Sequence, residues 1–328
     1  MSKFVIVGDT HFRSKSPTYR RDDILKTSLE KFEWVLNRAK ELGAEIIHTG
    51  DLFHSPSPSD NDANNVAELL NKYNVTVYYM LCNQDFIGGS RTSFEHIKVG
   101  LYRYYKNFNL IGGSYKEFKD CILCGYDFEK KNEVCEEIDP IKDFNLKEKN
   151  KFLICVVHQM MVGDEREIVV NNKRKTISWK SVTSTADIVI SGHYHPGFGV
   201  QRNNMGTYFV NVGSFCRLEY RDAERKAQIA VIEIDKDNVD IKTEDIKVDN
   251  EIFDVDKALG DKLKKEEKSQ FVDALENIDT TNLSVNNVMQ NLEGLSVSKE
   301  LPEEVRNVLS DKVIEMCRDR LLKCQEEE

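Results

Sequence analysis

The stretch that decides the fold is Phe4-Val5-Ile6-Val7-Gly8-Asp9-Thr10-His11: four apolar residues, a glycine, and three polar side chains able to bond or ligate. The apolar run predicts a buried strand, and the polar cluster stands where that strand ends. Working outward, the same figure returns four times. Gly50-Asp51-Leu52-Phe53-His54 follows the strand-like run 45–48, and Asn83-Gln84-Asp85 follows 75–81. His158 closes the run 152–157, and Gly192-His193-Tyr194-His195 follows 187–191. In layered α/β folds the carboxyl ends of the strands face a common crevice, so five clusters far apart in sequence are expected to converge on one site.

The segments between them have the matching periodicity. Ile24, Leu25, Phe32, Val35, Leu36, Ala39 and Leu42 recur at helical spacing, and a second helix is expected around 60–73. Strand, helix and strand in succession predict right-handed parallel crossovers. The later runs 206–210, 228–234 and 239–243 are shorter and separated by Gly or Asn turns, which predicts mixed sheets layered with helices. Beyond Lys247 the strand pattern stops and charged helical segments follow at 255–278, 285–292 and 302–325. A site-bearing domain over 1–247 and a helical C-terminal module over 248–328 are therefore expected.

The chain has 328 residues, 40% hydrophobic and 31% charged, which excludes a wholly disordered or collagen-like protein. Its net charge of −10 lies entirely in residues 236–328, with 14 basic against 24 acidic, while residues 1–235 balance at 32 against 32. A blanket positive field for nucleic acid or membrane is thereby excluded, but a local basic groove or a metal can still attract phosphate. Two such clusters are Arg13, Lys15, Arg20 and Arg21, and Arg217, Arg221, Arg225 and Lys226. Without a basic-then-apolar leader or a long apolar run, the chain is expected to be cytosolic with no membrane partner. Its eight cysteines then read as reduced thiols, and Cys121 with Cys124 reads as a buried pair in a strand.

Carboxylate, amide oxygen and imidazole together form the ligand set of a divalent transition metal; manganese fits best, with iron, zinc and magnesium as alternatives. Five of the seven histidines lie in the clusters, leaving only His48 and His96 outside, so the joint pattern weighs far more than any single Gly-Asp turn.

On these residues the chain resembles the calcineurin-like metallophosphoesterases, whose pattern reads GDxH, GDxx, GNHD, H and GHxH in that order; the match spans about residues 3–245. Gly50-Asp51-Leu52-Phe53-His54 before Pro56-Ser57-Pro58-Ser59, and the later Asn211-Val212-Gly213-Ser214, are similar to the SbcD-type DNA repair and recombination nucleases, phage members included. The resemblance implies an α/β four-layer metallophosphoesterase β-sandwich flanked by helices, with a small C-terminal helical module. It implies two divalent ions, one held by Asp9, His11 and His195, the other by Asn83, His158 and His193, with Asp51 bridging. A carboxylate has two oxygens to share between ions roughly 3.5–4 Å apart, a spacing suited to in-line phosphoryl displacement. It also implies DNA as substrate, a homodimer, and a coiled-coil ATPase of the SbcC type docking on helices after the catalytic domain, such as 302–325.

One departure matters. Where the pattern has Gly-Asn-His-Asp, this chain has Cys82-Asn83-Gln84-Asp85. In the family that histidine stabilises the transition state and helps protonate the leaving oxygen, with the acidic residue orienting it. Gln84 can donate a hydrogen bond but cannot release a proton at neutral pH. The substitution reads either as an introduced inactivating change or as a natural slow variant in which His54 assumes part of the role; otherwise His54 is a loop residue. The alternatives to a weakened nuclease are a non-catalytic DNA-end-binding or scaffold subunit, and a phosphatase or phosphodiesterase for a small substrate.

Overall fold

Alternate side chains of strand Ser2–Val7 enter two different cores, Phe4 and Ile6 on one side and Val5 and Val7 on the other, as a two-residue period requires. The computed structural model describes residues 1–126, 135–146, 151–164, 176–249 and 251–276. Among them two six-stranded sheets form. The first runs, in spatial order, Val239–Asp245, Gln228–Ile234, Ser2–Val7, Glu45–His48, Val77–Tyr79 and Phe108–Leu110. The second runs Gly199–Arg202, Tyr208–Asn211, Ile188–Gly192, Phe152–His158, Cys121–Gly125 and Ser114–Glu117.

Both sheets are mixed. Strand 2–7 pairs parallel with 45–48 and antiparallel with 228–234, and strand 188–192 lies parallel between 152–158 and 208–211. The sheets face one another across a core that includes Phe4, Ile6, Ile47, Met80, Val156, Ile190, Val210 and Ile232. Helices Ile24–Leu42 and Asp60–Tyr73 cover the outside of the first sheet with Phe32, Val35, Leu36, Val66 and Leu70. The outer face of the second sheet is covered by shorter pieces that bring Ile138, Ile141, Phe144 and Trp179. The result is the expected α/β four-layer sandwich, with the central strands apolar on both faces because both faces are buried.

Local signals set the helix ends. Asp23 caps helix 24–42 by accepting from Lys26 N–H, and Ser59 caps helix 60–73 by accepting from Asp62 N–H. Cys121 and Cys124 stand three apart on one strand, so they point into different cores and remain buried thiols. The exposed edge strand 114–117, Ser-Tyr-Lys-Glu, has no hydrophobic alternation to announce it.

The chain divides into two compact units, Met1–Leu259 and Gly260–Glu328. Helix Val255–Glu276 occupies the first of the expected C-terminal helical segments; 285–292 and 302–325 lie outside the described residues. No helix among the described residues is long and apolar enough to cross a membrane.

In the first unit the chain after the last strand is pinned by a buried carboxylate. Glu251 accepts from Lys31 Nζ at 3.0 Å, faces Arg20 Nη1 at 3.2 Å, and is bonded by Arg217 through its guanidinium and its N–H. Burial works to raise the Glu251 carboxyl, but Lys31, Arg20 and Arg217 outweigh it and hold the carboxyl below its usual range. Its stabilisation is therefore complete above the unfolded carboxylate value of about 4.3 and is lost as pH falls below that. Replacing Glu251 with Gln strands buried cations without their counter-charge. The expected loss is about 3–5 kcal/mol, read as a lower midpoint in urea at pH 7; an unchanged midpoint would show that the cluster contributes nothing net.

Candidate metal centre

Five chain segments meet at the carboxyl ends of strands 2–7, 45–48, 77–79, 152–158 and 188–192. Three of the residues they deliver, His11, Asp51 and His193, sit at positive φ (48°, 51° and 75°), a conformation that non-glycine residues seldom adopt. Backbone strain of this kind persists only where the surroundings enforce it, and it gathers at functional sites. The neighbouring glycines answer to space. A Cβ on Gly192 would stand 2.7 Å from His158 Nδ1 and 2.8 Å from Asp9 Oδ1, and one on Gly8 would stand 1.8 Å from the Gly213 carbonyl.

Asp51 is the centre of the arrangement. It is fully buried, and its Oδ2 has no hydrogen-bond partner. That oxygen lies 3.6 Å from His11 Nε2 and 3.5 Å from His158 Nε2. His11 Nε2 lies 3.0 Å from His195 Nε2, and His195 Nε2 lies 3.7 Å from Asp9 Oδ2. Ligand atoms of Asp9, His11, Asp51 and His195 all fall within 4.8 Å of one another; those of Asp51, Cys82 and His158 do the same. Two donor sets sharing one carboxylate are thus present.

Other side chains aim these groups. Thr49 Oγ1 donates to Asp9 Oδ1 at 2.9 Å, and the His193 N–H donates to Asp9 Oδ2 at 2.8 Å. The Thr49 carbonyl lies 2.9 Å from His158 Nδ1, which turns a neutral His158 so that the Nε2 lone pair faces Asp51. The 211–214 turn closes the far side: the Phe215 N–H donates to the Asp9 carbonyl and the Ser214 N–H to the His195 carbonyl, each at 2.9 Å.

The electrostatics show what the groups lack. Burial pushes the Asp9 carboxyl up despite His158. Burial would also raise Asp51, yet His158 and His11 hold it far below the carboxylate range. Burial drives His11 down to about 3, whereas His158 is pushed up to about 9, because Asp51 and Asp9 outweigh the cost of burying its charge. A buried carboxylate oxygen without a partner, facing imidazole nitrogens on both sides, fits divalent cations: imidazole and carboxylate are the donors they take.

Of the residues singled out from the sequence, Asp9, His11, Asp51 and His195 come together in one donor set, and His158 joins the other. The His193 ring lies 5.0 Å from that of His158. The side chain of Asn83 lies outside the described part of the structure. His54 is on the exposed rim, its ring edge-on to His11 at 5.7 Å. Gln84 buries its Oε1 without a partner, while Asp85 accepts from the Tyr79 hydroxyl and from the Cys82 N–H, with the Cys82 sulfur 3.1 Å from its Oδ2. Burial, reinforced by the charge of Asp51, raises Asp85 to about 7.

Thr49 and Tyr79 escape a reading based on ligand types, because their part is to orient other groups; their one signal is adjacency to the polar clusters. His48 stays outside, buried and held down to about 3 by that burial, with Thr10 Oγ1 3.1 Å from its Nε2.

The basic clusters separate into two kinds. Arg20 and Arg217 are held by Asp22, Asp249 and Glu251; Arg21 pairs with Asp254 and Lys226 with Asp245. Arg13 Nε, and Arg225 Nε and Nη1, are buried without a hydrogen-bond partner. Arg13 bears on the charge of His54, and Arg225 bonds Ser214, the residue that reaches the His195 carbonyl.

Comparison with known proteins places the geometry in a family. No curated relative matches the chain in sequence. Among solved structures it is similar to TT1561 of Thermus thermophilus, at 12% identity and a TM-score of 0.43, covering 75% of this chain and 99% of that one. It is also similar to the NAD nucleotidase NadN of Haemophilus influenzae, at 12% identity and a TM-score of 0.43, over 75% of this chain and 56% of that one. The family model of the calcineurin-like phosphoesterase superfamily domain matches residues 2–237, the span that holds every candidate ligand. This chain therefore belongs to the calcineurin-like phosphoesterase superfamily.

Proposed function

We propose that the chain is a two-metal phosphodiesterase that cleaves DNA, as an exo- and endonuclease of a repair or recombination complex. The observation that carries the choice of substrate is the pair Arg13 and Arg225. Arg13 Nε and Arg225 Nε and Nη1 lack partners in the protein, and both side chains stand beside the centre, Arg13 near His54 and Arg225 on Ser214 next to His195, where phosphates drawn to the metals would pass. The resemblance of the 50–59 and 211–214 segments to SbcD-type nucleases supports the same reading.

When bound, the cations supply Lewis acidity and charge neutralisation for in-line displacement at phosphorus. Asp51 would hold both through its carboxylate, with Asp9, His11 and His195 as the further donors on one side. Thr49 fixes Asp9 and His158 so that no reorganisation is needed when charge develops. Gln84 can hydrogen-bond a phosphate oxygen but cannot pass a proton to the leaving oxygen. An absent general acid lowers the rate by on the order of 10²–10⁴. His54, on the rim beside His11, is the imidazole placed to take part of that role. Manganese is the proposed native ion. A homodimer and an SbcC-type ATPase partner complete the assembly, with residues 302–325 as the docking segment.

Three outcomes test this. Gln84→His should raise manganese-dependent cleavage of linear DNA at least tenfold over the unaltered chain, with a phosphomonoester as the control substrate. Equal rates for both forms would remove the general-acid argument, and no cleavage by either would favour a DNA-end-binding subunit. Arg13→Ala and Arg225→Ala should each weaken DNA binding and flatten its salt dependence by about one unit of slope, whereas Lys226→Ala should change neither; equal effects from all three would mean a diffuse surface charge. Deleting residues 300–328 should abolish capture of the cognate ATPase, and unchanged capture would place the docking site elsewhere.

A further inference from the structure

Cys82 occupies the position where the family pattern has glycine, immediately before Asn83. Its side chain is fully buried, and it faces the centre. The Asp51 N–H donates to Cys82 Sγ at 2.9 Å, the thiol in turn bonds Asp51 Oδ1, and Asp85 Oδ2 lies 3.1 Å from the sulfur. A thiol has one proton and cannot serve both carboxylates at once. The sulfur is also close enough to its neighbours to share an ion with them, since Asp51, Cys82 and His158 each offer a ligand atom within 4.8 Å of the others. A second, independent observation points the same way: Asp51 Oδ2, on a fully buried side chain, has no hydrogen-bond partner and faces His158 Nε2 at 3.5 Å. Zinc bonds sulfur at about 2.3 Å and imidazole or carboxylate at about 2.0–2.2 Å, so donors around one tetrahedral ion stand roughly 3.5 Å apart, the separation found between Asp51 Oδ2 and His158 Nε2.

We propose that Cys82 Sγ ligates one of the two cations together with Asp51 and His158, and that this sulfur biases the centre toward zinc or cobalt over manganese or magnesium. The inference rests on the metal-centre reading and narrows it at this one position: thiolate is a soft ligand, so zinc or cobalt gains affinity there, while manganese stays the ion proposed to support cleavage. On coordination the thiol proton leaves to solvent, and the sulfur binds as the anion. A glycine there would leave Asp51 and His158 to imidazole and oxygen donors alone.

Cobalt titration of the full chain, stripped with chelator beforehand, tests this without an activity assay. The unaltered protein should bind two equivalents and develop an intense near-ultraviolet sulfur-to-cobalt charge-transfer band. Cys82→Ser and Cys82→Gly should keep cobalt binding and lose the band. In competition, the zinc-over-manganese preference of Cys82→Gly should fall at least tenfold. Two bound equivalents without the band, or a band that survives in Cys82→Ser, would overturn the sulfur ligand and leave the metal centre standing. No cobalt bound at all would overturn both. Should a variant fail to fold, the unaltered protein still decides through its cadmium-113 resonance: a thiolate-shifted signal supports the ligand, and its absence from a loaded site refutes it.

Discussion

A carboxylate buried without a hydrogen-bond partner on one oxygen is an expensive thing for a protein to keep. Asp51 is such a group, and much of the site is arranged around it. His11 and His158 face its free oxygen, Cys82 bonds the other, and its backbone is held at a positive φ that brings the carboxylate inward. Without a cation, the charge is balanced by driving up the proton affinity of His158. The same oxygens and nitrogens are the donors that would take cations, so one arrangement accounts for the strain, the burial and the electrostatics.

The fold supplies the convergence. Parallel strands from two sheets end at the same side, and each delivers its polar cluster immediately after its last apolar residue. Close approach is possible because Gly8 and Gly192 leave room for Gly213, His158 and Asp9. Thr49 joins the layers: it belongs to the turn after strand 45–48 of the first sheet, yet it bonds Asp9 and anchors His158 of the second.

Most of this was legible in the sequence for a physical reason. Strands 2–7, 152–158 and 188–192 have apolar runs buried on both faces, and the ends of 2–7, 45–48 and 188–192 are marked by Gly-Asp or Gly-His, that of 152–158 by His158 alone. Edge strand 114–117 is exposed and short, and it carries no such mark. Which arginines are tied up by carboxylates was not legible either. Arg20 and Arg225 look alike as neighbours of the site, and only Glu251, far from Arg20 in sequence, decides that Arg20 is structural. Cys82 was visible as a departure from the family pattern, but its contact with Asp51 depends on a turn that brings residue 82 against residue 51.

The central claim is that two cations share Asp51. Anomalous diffraction from crystals soaked in a divalent transition metal tests it most directly. The expected result is two peaks about 3.5–4 Å apart on either side of the Asp51 carboxylate, one beside His11 and His195 and the other beside His158. A map with no peak there, or with a single ion remote from Asp51, would contradict it.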